Sequence, residues 1–426
     1  LSEEELNTMV EKTKALEAYQ ESEEDPEALE CIPMLKRSDI KKEAGNFVNE
    51  ELSVDDSLFL YHEVCTNGIG YVDLMFKTDS IAPEQIPYLG LLKSVLGYVD
   101  TKEHTYGELF NEINANTGGI NCGVEVFDRA DSTEEFQAMF SVRGMAAFQD
   151  EMAGIGYYQF IEKLEKDFDQ RKEETVEELR RLMKEILRPE NFMISYTGER
   201  ESLETVKKLA LSVKEGLCTD PVERSQNKLT CTKKNEGFKT SGQVQYVAQT
   251  GNFKKKGLEY TGALEILKVI LSYDYLWINL RVKGGAYGCM SGFKRNGESY
   301  LVSYRDPHLK RTLDVYKGIP EYIRGFQADE REMTKYIIGT ISGKDVPKTP
   351  QMKGSVSKTA YFCGVTEEMI QKERDQILNA SVEDIHALAE IIEAVLAADQ
   401  ICVVGSESKV SEASDVLMEV KSLVNC

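Results

Sequence analysis

The stretch LRVKGGAYGCMSGF, residues 280–293, combines four glycines with one arginine and one tyrosine. Paired glycines mark places where the backbone takes a positive φ or comes close to another group. Ten of these residues, GGAYGCMSGF from Gly284, match GGINCGVEVF from Gly118 at an offset of 166 residues. This match indicates that one structural unit occurs twice in the chain.

Two further matches occur in the same order. LGLLKSVLGY from Leu89 matches LEILKVILSY from Leu264 at an offset of 175, and Gly198 matches Gly405 at an offset of 207. Helix–strand–helix endings also recur by chance in α/β proteins, but three ordered matches favour a true repeat. The rising offset means that the first copy is shorter in its middle. We therefore predict two homologous domains, residues 42–226 and 227–426, which also fits a chain of 426 residues.

Each copy mixes short alternating strands with long amphipathic helices, which predicts an α+β fold. We expect each domain to be a largely antiparallel sheet with helices packed on one face. Residues 57–78 alternate around Asn67–Gly68 and predict a hairpin, and residues 409–424 predict a final helix. Residues 1–41 predict a helical linker, or hinge, because Ser2 and Glu5 form a capping box and an acidic, proline-broken stretch follows.

Composition excludes several classes of partner. The formal net charge of −22 argues against binding of nucleic acid or anionic lipid, because both need a basic surface. The nine cysteines are scattered and form no C-x-x-C pair, which is typical of a reducing compartment, so we expect a cytoplasmic protein. No apolar run is long enough to span a bilayer.

Metal and nucleophilic chemistry find little support in the residues themselves. The four histidines are His62, His104, His308 and His386. HEVCT, from His62, begins like H-E-x-x-H, but Thr66 stands where the second histidine is needed. The sequence also has no G-x-S-x-G motif. On its own residues, this chain does not resemble an enzyme.

Arg281 and Tyr287 are the candidate binding residues. A guanidinium has five fixed donors that can hold peptide carbonyls or a carboxylate, and a tyrosine hydroxyl can donate to an oxygen that gains negative charge. Gly284 and Gly285 would let an extended peptide backbone approach. The alternative is structural: an arginine that pairs at a helix end and a tyrosine that packs on the sheet.

The same stretch resembles the C-terminal half of the insulinase/pitrilysin zinc peptidases, in the branch of the presequence proteases. Residues 299–318 and 337–378 are similar to that branch, and so are MAGIGYYQFIEKLEKDF and LRPENFMISYTG in the first copy. The resemblance implies four homologous α/β domains in two halves, which close around a chamber that admits unfolded peptides. It also implies that this chain holds the linker and the last two domains.

In this family the first domain binds zinc through an H-x-x-E-H helix and a downstream glutamate. The equivalent positions here, residues 91–95 and 266–270, have no side chain that ligates zinc. The resemblance therefore implies a zinc site in an N-terminal half outside this chain and none in this segment. It further implies that Tyr287 supports the scissile carbonyl and that Arg281 holds the peptide backbone. Asn121 stands at the position of Tyr287 in the first copy.

We therefore expect the non-catalytic half of a zinc metalloendopeptidase that degrades short, unstructured peptides and has its own catalytic half as partner. The passage around residues 145–151 is shorter than in family members, so we expect no continuous element there. The alternative is a stand-alone subunit or scaffold that binds a separate zinc-bearing peptidase. The linker-like start at Leu1 favours the first hypothesis.

Overall fold

The computed structural model describes residues 2–21, 35–127, 129–130, 153–222 and 235–424. It consists of two compact units, Leu1–Lys41 and Lys42–Cys426. In the first unit, helix Glu3–Glu21 begins with the predicted capping box. Ser2 N donates to Glu5 Oε2 at 2.7 Å, and Glu5 N donates to Ser2 Oγ at 3.2 Å. The predicted irregular passage at residues 145–151 lies outside the described residues.

Helices make up most of the second unit. None of the described helices is long and apolar enough to cross a membrane. Their bounds are Ile86–Val95, Tyr106–Asn116, Ile155–Lys166, Phe168–Ile186, Leu203–Glu215, Ala263–Ile270, Lys310–Lys317, Ile319–Arg324, Glu330–Lys344, Pro350–Cys363, Glu367–Leu378, Val382–Ala387, Ala389–Ala397 and Glu407–Glu412.

The first sheet has four strands in the order β1-β2-β4-β3. The strands are β1 (Glu50–Val54), β2 (Ser57–Glu63), β3 (Tyr71–Phe76) and β4 (Phe192–Gly198). Asn67 and Gly68 have φ values of 56° and 82°, so the chain turns where the sequence predicts. The predicted hairpin is nevertheless wrong, because β2 and β3 pair with opposite edges of β4. All seven residues of β4 are buried, which suits a central strand.

The second sheet has six strands in the order β10-β5-β9-β6-β8-β7. Their bounds are β5 (Glu236–Thr240), β6 (Gln245–Asn252), β7 (Gly288–Phe293), β8 (Glu298–Asp306), β9 (Gln400–Ser406) and β10 (Glu419–Ser422). β9 pairs parallel to β5 and antiparallel to β6, as β4 pairs with β2 and β3. The α+β class is confirmed, while the boundaries of the two domains remain a prediction.

The last predicted helix is wrong in its second part. The helix Glu407–Glu412 is short, and Glu419–Ser422 forms strand β10, which pairs in parallel with β5. The outer edge of β5 offers unpaired main-chain groups, and this pairing outweighs the helical periodicity of the sequence. Leu417 packs closely over Gly237 of β5, which fixes the chain just before the strand begins.

Both faces of the first sheet are covered. Phe59, Tyr61 and Ile194 form a core with helix Leu203–Glu215. The opposite face packs against helix Pro350–Cys363, which lies far along the chain. A Cβ atom at Gly354 would clash with the Thr197 side chain, so only glycine permits this close approach.

Residues that lead into the first sheet are bonded to helices that follow the second. Ala44 N donates to Gln371 Oε1 at 2.8 Å, and Val48 N donates to Ser357 Oγ at 3.0 Å. Lys358 is 3% exposed and bonds to Asp73 at 2.9 Å and to Glu125 at 2.8 Å. The two sheets are therefore held together through helix Pro350–Cys363.

Candidate functional site

The run that leads to Arg281 is a buried helix. Leu264, Ile266, Leu267 and Ile270 are fully buried, because this segment is apolar on nearly every side. After Ile270 the helix widens into two π-helical turns, Leu271–Tyr275 and Trp277–Val282. Such turns are rare and often lie at functional sites.

The helix ends in a tight turn made by the two glycines. Gly285 has a φ of 78°, and its N–H donates to Arg281 O at 3.0 Å. A Cβ atom at Gly284 would clash with Leu280 O. Ala286 N then donates to Leu280 O at 2.9 Å, and β7 begins at Gly288. The turn reverses the chain, and a direct contact of either glycine with substrate remains a prediction.

This turn brings Arg281 and Tyr287 together. The Arg281 Cζ atom lies 5.0 Å from the centroid of the Tyr287 ring, within the range of a cation–π contact. Arg281 Nη1 donates to Ala286 O at 3.0 Å, which fixes the guanidinium against the turn. Arg281 Cζ also lies 5.8 Å from the Trp277 ring. The site residues that the sequence proposes are therefore neighbours in space.

The side chain of Tyr287 is 59% exposed, although its main chain is well anchored. Its N–H donates to Tyr304 O at 3.1 Å and to Arg305 O at 3.3 Å. The ring packs edge-on against Tyr304 with centroids 5.6 Å apart, and Tyr304 packs in turn against Tyr246. Within the described part of the chain, the Tyr287 hydroxyl has no hydrogen-bond partner. It is therefore available to a ligand.

Sequence reasoning missed Arg305, whose Cζ atom lies 5.7 Å from the Tyr287 centroid. On β8, Asp306 pairs with Gln245 and Ser303 pairs with Val247, so Tyr304 and Arg305 lie opposite a single residue of β6. This is a β-bulge, and Arg305 has a φ of 49°. The bulge interrupts the alternation of β8 and leaves two consecutive side chains exposed. The adjacent Tyr304 and Arg305 before Asp306-Pro307 were the available signal.

Neighbouring groups do not offer a nucleophile. Burial raises the pKa of the Cys289 thiol to about 11, and the nearby Asp306 acts in the same direction. This thiol is therefore protonated at neutral pH.

Within the described ranges, no group of three or more histidine, cysteine, aspartate or glutamate side chains is placed to hold a metal ion. Residues 91–95 lie on helix Ile86–Val95 and offer no ligand to zinc. His62 is buried on β2, where Nδ1 lies 2.8 Å from Val48 O and Nε2 lies 3.1 Å from Ser195 Oγ. Both of its ring nitrogens are thus used inside the fold.

Comparisons with known proteins agree with this fold. The inactive domain of an M16 peptidase from Pseudomonas fluorescens superposes with a TM-score of 0.52 and 13% identity, over 84% of this chain and 98% of that chain. Residues 1–150 match the family model of the peptidase-associated domain of M16 subfamily C, and residues 235–408 match the one described as "PreP C-terminal domain". The fold is that of the M16 peptidase domains.

Relatives place the chain within that class. It is 35% identical to Protein HypA of Clostridium perfringens over 98% of this chain and 49% of the relative. It is 28% identical to presequence protease 1 of Arabidopsis thaliana over 93% of this chain and 42% of the relative. The chain thus spans about half the length of these relatives. It belongs to the insulinase (M16) family, in its presequence-protease branch, and corresponds to the C-terminal half of such a peptidase.

Proposed function

We propose that this chain is the non-catalytic half of a zinc metalloendopeptidase that degrades short, unstructured peptides. It forms part of the wall of the substrate chamber and provides Arg281 and Tyr287 to the bound peptide. The observation that carries this proposal is the pairing of Arg281 with an exposed tyrosine whose hydroxyl has no partner among the described residues. Relatives named presequence proteases support the substrate class.

Tyr287 is the group that acts on the reacting carbonyl. Its hydroxyl donates to the scissile carbonyl oxygen, and this hydrogen bond strengthens as the oxygen gains negative charge. Tyr304 and the two main-chain hydrogen bonds hold the ring, so that little order must be gained when substrate binds. Tyr287 therefore stabilises the transition state more than the ground state.

Arg281 positions the peptide. Its one hydrogen bond to a described residue is to Ala286 O, which leaves its other N–H groups for peptide carbonyl oxygens. The metal belongs to the N-terminal catalytic half in this proposal, because residues 91–95 and 266–270 do not fit a zinc site. We derive no step through zinc in this chain.

A cytoplasmic, reducing setting is part of the same proposal. Cys65 and Cys122 are exposed and, like Cys218 and Cys289, carry free thiols. Exposed thiols of this kind persist where disulfide formation is disfavoured. Fractionation of cells that express the complete protein would test the location directly.

The central experiment measures cleavage of a short, unstructured peptide by the complete protein, with and without a metal chelator. We expect Tyr287→Phe to lower kcat by roughly 10- to 100-fold, as for the loss of one oxyanion donor, with KM little changed. Tyr273→Phe is the matched control, because Tyr273 is 72% exposed on the same helical run. An unchanged kcat in Tyr287→Phe would remove the hydroxyl from the mechanism.

A further inference from the structure

The bulge in β8 gives Arg305 a direction that a regular strand would not. Regular alternation would place adjacent residues on opposite faces of the sheet, but Tyr304 and Arg305 are both exposed. A φ of 49° is uncommon for a residue with a Cβ atom, and glycine would adopt it more readily. The strained position therefore holds a guanidinium beside Tyr287, and strain of this kind often accompanies function.

Two guanidinium groups share one aromatic ring. The Cζ atoms of Arg281 and Arg305 lie 5.0 and 5.7 Å from the centroid of Tyr287. Both distances end at the same point, so the two Cζ atoms are no further apart than their sum. Like charges repel at such separations unless a negative group lies near them. The arrangement therefore favours an anion beside the ring.

The described residues do not provide that anion. Arg281, Arg305, Lys283 and Arg311 form no ion pair with any acidic residue in the described part of the chain, although the chain has 73 acidic and 51 basic residues. The nearby Asp306 is 1% exposed, and its carboxylate accepts from His308 N at 2.8 Å and from Thr312 Oγ1 at 2.6 Å. It is therefore already engaged within the fold.

A structural role explains only part of this group. Arg311 donates to Lys283 O at 3.1 Å and to Asn279 O at 3.4 Å, so it caps the end of the helical run. Arg281 donates to the turn at Ala286 O. No hydrogen bond joins the Arg305 guanidinium to a described residue, and only its contact with the Tyr287 ring holds it. Arg305 is thus the cation that a ligand would engage.

We propose that Arg305, together with Arg281, binds a carboxylate of the peptide that lies beside Tyr287. This proposal rests on the proposed function and adds a substrate preference to the same site. The planar guanidinium binds a carboxylate through two parallel hydrogen bonds, which a lysine cannot reproduce. The carboxylate comes from the C-terminus of the peptide or from an aspartate or glutamate side chain. Arg305 is a specificity residue and not a catalytic one.

The test uses the complete protein and four peptides of one sequence that carry an N-terminal fluorophore. The peptides combine a free or amidated C-terminus with an internal glutamate or glutamine. Binding is measured by fluorescence anisotropy with a chelator present, and cleavage is measured without it. We expect the wild type to bind the preferred carboxylate peptide about tenfold more tightly than the peptide that lacks both carboxylates.

Arg305→Gly is the decisive variant, because glycine suits the positive φ and the fold is retained. We expect it to reduce the preference to less than about twofold, and Arg305→Lys to give an intermediate preference. Thermal unfolding of each variant checks that the fold is intact. The pair of peptides that shows the preference identifies the source of the carboxylate.

Equal preferences in wild type and Arg305→Gly would overturn this inference, and continued cleavage would leave the proposed function standing. If the wild type neither bound nor cleaved any of the four peptides, both proposals would fail. Carboxylate-dependent binding without cleavage would uphold the role of Arg305 and reject the peptidase function.

Discussion

The guanidinium carbon of Arg281 lies 5.0 Å from the centre of the Tyr287 ring, across the turn made by Gly284 and Gly285. The contact joins the end of a buried helix to the start of an edge strand of the second sheet. The relative position of the two side chains is thus set by rigid elements, which hold functional groups more precisely than loops do.

We predict that Arg281→Lys weakens peptide binding more than it slows the chemical step. The lysine ammonium keeps the charge, but it cannot donate to Ala286 O and to a peptide carbonyl in one planar arrangement. Steady-state kinetics of the complete protein should show KM raised about tenfold and kcat changed less than about threefold. Arg324→Lys is the control, because Arg324 is a surface residue that pairs with Glu393. A larger fall in kcat than rise in KM would contradict a positioning role.

Lys358→Met tests the contact between helix Pro350–Cys363 and the first sheet. Burial acts to lower the pKa of Lys358, but its bonds to Glu125 and Asp73 outweigh burial and raise the pKa. Its loss leaves two half-exposed carboxylates unpaired, which should cost about 1–3 kcal/mol of unfolding free energy. Urea denaturation measures this change. Lys353→Met, on the exposed side of the same helix, should change the stability by less than about 0.5 kcal/mol.

His62 makes stability depend on pH. Burial lowers its pKa from the ordinary value of 6.5, and the charge of Lys358 acts in the same direction, while the bond to Val48 O and the charge of Asp73 oppose it. The unfolded state therefore binds the proton more readily than the folded state. The stabilisation is complete above pH 6.5 and is lost as the pH falls from there towards the lower folded-state pKa.

Urea unfolding at about pH 7.5 and about pH 5.5 checks this prediction. His62→Gln should reduce the fall in unfolding free energy between the two conditions. The exposed His104 provides the control, since His104→Gln removes a histidine that is not buried in the fold. An equal fall in wild type and His62→Gln would show that other groups cause the pH dependence.

The sequence predicts elements better than it predicts their pairing. The positive φ values at Asn67 and Gly68 follow from residue type, whereas the insertion of β4 between β2 and β3 depends on a strand more than 100 residues away. Periodicity predicts a final helix, but the open edge of β5 recruits Glu419–Ser422 as a strand. Long-range pairing of this kind leaves no local signal in the sequence.

The candidate site follows the same division. Arg281 and Tyr287 could be predicted because their neighbourhood depends on a local turn and on a resemblance to a family. Arg305 could not, because its position depends on a one-residue mismatch between β6 and β8. A bulge shifts the alternation of a strand without a distinctive residue type at this position.

The backbone at Arg305 also has a genetic consequence. Every arginine codon is one base away from a glycine codon, and glycine would adopt the φ of 49° at lower cost. Drift thus has a short route to a more relaxed chain. Glycine will be frequent at this position in natural populations if folding alone acts on it, and rare if selection maintains the guanidinium.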